Sequence, residues 1–162
     1  MTESHEMPRG RGMRIFVASL IAALVVGFVA LSLRGAARTG RADPNDVRQV
    51  ALGQQVYAAR CASCHGVNLE GQPNWKEGPL NGPRPAPPHD VNGHTWHHAD
   101  VLLFDIVKRG GQAAVPSDYQ SGMPPFGGAL SDDEIWAVLA YIKSRWPADI
   151  RAAQEQVNQQ TP

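Results

Sequence analysis

Two cysteines and a histidine fall within five residues, Cys61-Ala62-Ser63-Cys64-His65, and the chain has no other cysteine. A C-x-x-C-H run is the spacing at which two thiols bond covalently to a haem while the next residue reaches its iron. Three residues apart on one helical turn, Cys61 and Cys64 share a face, and His65 then projects toward the metal as the proximal ligand. Two other chemistries use paired cysteines, a thioredoxin-like redox couple and half of a zinc site. Zinc lacks a third and fourth cysteine here, and no strand pattern leads into the motif as a redox couple of that kind requires.

The rest of the chain must supply a pocket. With 162 residues there is room for one modest domain plus extras, and with both cysteines in the motif none remains for a structural disulfide. Thirteen prolines and sixteen glycines against four phenylalanines describe a loop-rich fold, in which a buried porphyrin adds apolar area that the side chains lack. The formal net charge of zero hides an asymmetry. Six arginines precede Asp43, so the remainder carries nine basic and thirteen acidic residues, an acidic balance that argues against nucleic-acid binding.

Ile15 to Leu33 is an unbroken run of nineteen apolar or small residues with three arginines on each side. At about 1.5 Å per residue it nearly matches a hydrocarbon core of about 30 Å. It has no polar face at any helical period, which excludes an ordinary core helix. The rival reading is a cleaved signal peptide, whose apolar region is shorter and ends in an A-x-A-like site; the one candidate is Ala30-Leu31-Ser32. The expectation is an uncleaved transmembrane anchor after a tail of residues 1–14, with residues 34–43 as a tether near the lipid headgroups.

Asp43-Pro44 reads as an N-cap followed by proline, opening a helix with Val47, Val50, Val56 and Tyr57 at helical spacings. Gly53 lies in its middle, where a close helix crossing would exclude a Cβ. Near the other end, Ser131 and Glu134 form a capping box, Leu130 and Ile135 a hydrophobic staple, and Ile135, Val138, Leu139, Ile142 and Trp146 an apolar stripe that Pro147 stops. Between them Ala99 to Arg109 gives a third helix, with Leu102, Leu103, Ile106 and Val107 inward and Gly110 as C-cap. The proline-rich GPRPAPPHDVNG stretch from Gly82 to Gly93 is neither helix nor central strand and reads as an extended loop.

Taken together, a helix with Gly53 and Tyr57, the CASCH run, a lone later methionine and a final helix containing LAYIK resemble a class I c-type cytochrome over roughly Pro44 to Pro147. The resemblance implies an all-α cytochrome c fold, three main helices around one covalently bound haem c, with Gly53 packed on Val138 and Tyr141. It implies that Pro79, in Gly78-Pro79-Leu80, accepts the ring N–H of His65, the support a ligating imidazole needs. It implies that Trp96, in Gly93-His94-Thr95-Trp96, bonds a haem propionate, although a plain core aromatic also fits. It also implies a haem domain on the periplasmic side of the bacterial cytoplasmic membrane, followed by a polar tail of residues 148–162.

Met123 is the one methionine available to that domain, since Met1, Met7 and Met13 precede the apolar run. Pro124 and Pro125 stiffen the backbone after it, and it lies just before the last helix, as the second iron ligand does in this family. A core gap-filler and a bis-histidine haem using His89, His94, His97 or His98 are the alternatives. His94, His97 and His98, spaced i, i+3, i+4, would share one helix face and could hold copper or zinc. With His65 and Met123 filling both axial positions, the expected role is one-electron transfer in a bacterial respiratory chain rather than enzymatic catalysis. The partners are the lipid bilayer and redox proteins such as a terminal oxidase or a dehydrogenase complex. A haem enzyme or small-ligand sensor with a labile Met123, and a histidine-cluster metal module, are the competing classes.

Overall fold

The computed structural model describes residues 41–77 and 82–161. The anchor expected at Ile15–Leu33 and the Gly78-Pro79-Leu80 turn lie outside them. No helix among the described residues is long and apolar enough to cross a membrane.

Among the described residues five α-helices follow in order: α1 Val47–Arg60, the single turn α2 Ala62–His65, α3 Asp100–Arg109, α4 Asp132–Ser144 and α5 Ala148–Gln160. Two short 3-10 turns, Thr95–His97 and Gly111–Ala114, flank α3. Among the described residues there is no strand, only an isolated bridge between Arg84 and Ser121. The all-α expectation therefore holds for the described residues.

The N-cap of α1 is Asp46 rather than Asp43; its carboxylate accepts from the backbone N–H groups of Arg48 and Gln49. Asp43 instead closes the preceding turn, accepting from the N–H of Asn45 at 2.9 Å. That shift turns Val47 outward, 80% exposed, so the buried face of α1 is Gly53, Val56 and Tyr57.

The main packing is α1 across α4. A Cβ on Gly53 would stand 1.9 Å from the Ala137 carbonyl oxygen and 2.9 Å from Tyr141 Cβ, so only glycine lets the backbones meet here. The expected crossing is present with Ala137 in the place given to Val138. The capping box of Ser131 and Glu134 is complete, and Ile135, Val138, Leu139, Ile142 and Trp146 are all buried.

In α3 the inward face is Leu103, with Phe104 and Val107 packed against the core, while Leu102 is 41% exposed. Phe104 stacks on Trp136 of α4 with ring centroids 4.4 Å apart. Gly110 ends α3 at φ +87°, a left-handed position that suits glycine.

Residues 148–160 form a helix rather than a loose polar tail. Pro147 stops α4 and becomes the N-cap of α5. The face of α5 that enters the protein is mostly polar: Ile150 packs against the core, Gln154, fully buried, donates to Asp100 Oδ1 at 2.7 Å, and Asn158 Oδ1 accepts the Asp100 N–H at 2.8 Å. Asp100 in turn holds Lys143 through both carboxylate oxygens, at 2.9 and 2.7 Å, and both side chains are buried. A buried pair of this kind is tolerated only when its remaining hydrogen bonds are met, and α5 meets them.

Candidate haem-binding site

The sequence folds the motif as a helical turn because α1 delivers Cys61 at its C-cap. The Cys61 carbonyl accepts from the N–H groups of Cys64 and His65 at 3.1 and 2.9 Å. Tyr57 then ties the turn down, its hydroxyl donating to the Gly66 carbonyl at 2.8 Å. Cys61 is half-buried and Cys64 exposed. Burial, and then the neighbouring Cys64, push the Cys61 thiol up to about 11.

His65 is buried, and its Nδ1 lies 2.8 Å from the Pro87 carbonyl oxygen. A carbonyl can only accept, so Nδ1 carries the proton and Nε2 keeps a lone pair for a metal. Burial lowers the His65 pKa, with the Pro87 hydrogen bond opposing it, and the ring is held neutral as a ligand must be. Pro87 thus occupies the role expected of Pro79. The reason is local: Gly71 and Gln72 clamp the later part of the proline-rich loop beneath the motif. Gln72 exchanges two hydrogen bonds with Ala86, at 2.9 and 2.8 Å, and a Cβ on Gly71 would strike the Pro87-Pro88 backbone.

Trp96 offers a test of whether these residues fit a haem. Its indole Nε1 is the one buried side-chain nitrogen or oxygen among the described residues with no hydrogen-bond partner. A buried indole N–H needs an acceptor, and a propionate oxygen is of the right chemistry. The motif, the neutral His65 and this orphaned donor are consistent with one another.

Met123 is partly buried in a loop fixed by backbone contacts. Its carbonyl accepts from Gly111 at 3.1 Å and its N–H donates to Ser121 Oγ at 3.3 Å. Gln112 brackets the same loop, donating to the Tyr119 carbonyl at 2.9 Å and accepting from the Ser121 N–H at 3.0 Å. Sequence reading missed Gln112, whose one signal is its place just after the glycine pair that ends α3.

The other histidines do not form the metal-binding set weighed as an alternative. His89 stacks on His65 with ring centroids 4.0 Å apart and planes 24° from parallel. It lies face to face with the His65 ring. His94, His97 and His98 do not share a helix face, because Thr95–His97 is a 3-10 turn and His98 is extended. His94 stacks on Trp75 and meets His98 edge-on with ring centroids 5.4 Å apart, while His97 stacks on Trp96. Among the described residues no three metal-binding side chains converge.

The cytochrome c family model matches residues 50–146. A curated relative, cytochrome c6 of Diacronema lutheri, is 30% identical over 103 residues, spanning 59% of this chain and 95% of the relative. Among solved structures, cytochrome CL from the marine methylotrophic bacterium Methylophaga aminisulfidivorans MPT is 24% identical over 70% of this chain and 67% of its own, with a TM-score of 0.47. The chain therefore belongs to the cytochrome c family as a class I c-type cytochrome, an electron-carrier family with one covalently attached haem c, which Cys61 and Cys64 fit.

Proposed function

We propose that this cytochrome is a one-electron carrier of a bacterial respiratory chain, with His65 and Met123 as its two axial iron ligands. The observation that carries the ligand reading is the His65 hydrogen bond to Pro87, which leaves Nε2 as the free donor of a buried, neutral ring. The bound haem supplies the one-electron couple. The chain's own residues do the rest. Cys61 and Cys64 attach the porphyrin edge, Trp96 Nε1 donates to a propionate, and the loop held by Gly111, Ser121 and Gln112 presents Met123. With His65 and Met123 both holding it, the haem would keep no open site for a substrate, which favours transfer over catalysis.

The location reading rests on sequence. Ile15–Leu33 is long enough to anchor the chain in the cytoplasmic membrane, leaving the haem domain on the periplasmic side within reach of a terminal oxidase or a dehydrogenase complex. Membrane fractions washed with high salt and stained for covalent haem test it. Retention of the full-length band in the pellet supports the anchor; release of a mature protein starting near Leu33 contradicts it. A redox difference spectrum of those membranes, with and without each candidate oxidase, identifies the acceptor.

A further inference from the structure

His65 is hinged at its Cβ and hydrogen-bonded at Nδ1 alone, which leaves its ring free to tilt about the line joining those two points. The face-to-face contact of His89 removes that tilt, with centroids 4.0 Å apart. His89 can serve as a fixed wall because it is secured at three places. Its N–H donates to the Leu69 carbonyl at 2.8 Å, and its own carbonyl accepts from Trp146 Nε1 at 2.7 Å. Its ring Nδ1 lies 2.8 Å from Thr95 Oγ1. Leu69 and Trp146 are themselves buried in the core, so the backbone of His89 cannot drift. Thr95 precedes Trp96, so the residue steadying His89 adjoins the orphaned indole donor.

We propose that His89 is a positioning residue for the proximal ligand: its ring, stacked on His65 and held at Thr95, sets the plane of the His65 imidazole and keeps water from its face. The proposal rests on the reading of His65 as an iron ligand. Its physical consequence is twofold. The orientation of an axial ring governs how unpaired spin spreads over the porphyrin, and water at the ligand face favours the ferric state.

The test compares purified holoprotein carrying His89→Phe, His89→Leu and His89→Ala with the wild type. Two quantities are read: the order of the haem-methyl proton shifts in the ferric protein, and the reduction potential. His89→Phe keeps a flat ring on His65 and is expected to keep the wild-type methyl order. His89→Ala and His89→Leu lack that flat face and are expected to reorder the methyl shifts, with the alanine variant also lowering the potential by admitting water. All three should retain covalent haem and the far-red sulfur-to-iron band. An unchanged methyl order in His89→Leu, or equal changes in His89→Phe and His89→Leu, overturns the proposal, and this comparison stands even where His89→Ala fails to mature. A wild-type ferric spectrum without imidazole-bound low-spin iron overturns the ligand reading itself, before any variant is compared.

Discussion

His65 donates its Nδ1–H to the carbonyl oxygen of Pro87 across 2.8 Å, from a proline 22 positions further along the chain. That bond leaves Nε2 as the nitrogen with a free lone pair, and it depends on the Gly71 and Gln72 clamp that brings the proline-rich loop under the motif. Replacing Gln72 with alanine removes its side-chain acceptor for Ala86 while leaving the ligands in place. The expected result is a shifted reduction potential with haem still attached, checked by spectroelectrochemistry; an unchanged potential would show that the backbone contacts alone hold Pro87.

Gly53→Ala puts a Cβ against the Ala137 carbonyl, a backbone atom that cannot swing away. Overpacking of this kind costs about 1–3 kcal/mol. The melting temperature should fall by roughly 4–8 °C for each kcal/mol. A melting temperature equal to wild type would place α1 and α4 further apart than the structure does.

Lys143→Met leaves the Asp100 carboxylate buried without its cation, a change that costs about 3–5 kcal/mol in comparable pairs. Deleting residues 148–162 should also destabilise, because Gln154 and Asn158 bond Asp100. Urea unfolding of both variants checks this. A truncated protein as stable as the full chain would return α5 to the status of a dispensable tail.

How much of this was legible in the sequence varies by element. The motif, the capping box and Gly53 announce themselves because their residue types have few other uses at those spacings. Pro87 does not, since the proline-rich stretch from Gly82 to Gly93 offers several prolines and only the fold decides which carbonyl lies under His65. The helix α5 is hidden for a different reason: its one buried residue is Gln154, and Ile150 alone is too little apolar surface to read as a stripe. Val47 points outward because periodicity gives a face only once a cap fixes the register, and the cap is Asp46 rather than Asp43.

His94 and His98 have lowered pKa values, chiefly from burial and then from neighbouring histidines. Folding therefore favours their neutral forms. Their contribution is full above the unfolded value of 6.5 and is lost as pH falls below it, since the unfolded chain takes up protons first. Thermal stability should decline on acidification from pH 7.5 toward about pH 5, and the His94→Gln/His98→Gln double variant should show a shallower decline. An identical slope in the two proteins would assign the effect to other groups.

Gln112→Ala removes both hydrogen bonds that bracket the loop before Met123. The reduced protein should then bind carbon monoxide faster than wild type, by about tenfold for each 1.4 kcal/mol lost from the iron–sulfur contact. Stopped-flow mixing measures it. Equal rates would mean that Gly111 and Ser121 suffice to hold the loop.

The most direct test of the account is the spectrum and ligand binding of Met123→Ala beside the wild type. The wild-type ferric protein should show the weak far-red sulfur-to-iron band, and its reduced form should resist carbon monoxide. Met123→Ala should keep haem bound through Cys61 and Cys64, lose that band, bind carbon monoxide readily and have a lower potential, because methionine ligation favours the ferrous state. His94→Ala, His97→Ala and His98→Ala should leave all of these properties unchanged. A wild type without the band, whose iron is opened by a histidine substitution instead, would contradict the assignment of His65 and Met123 as the axial pair.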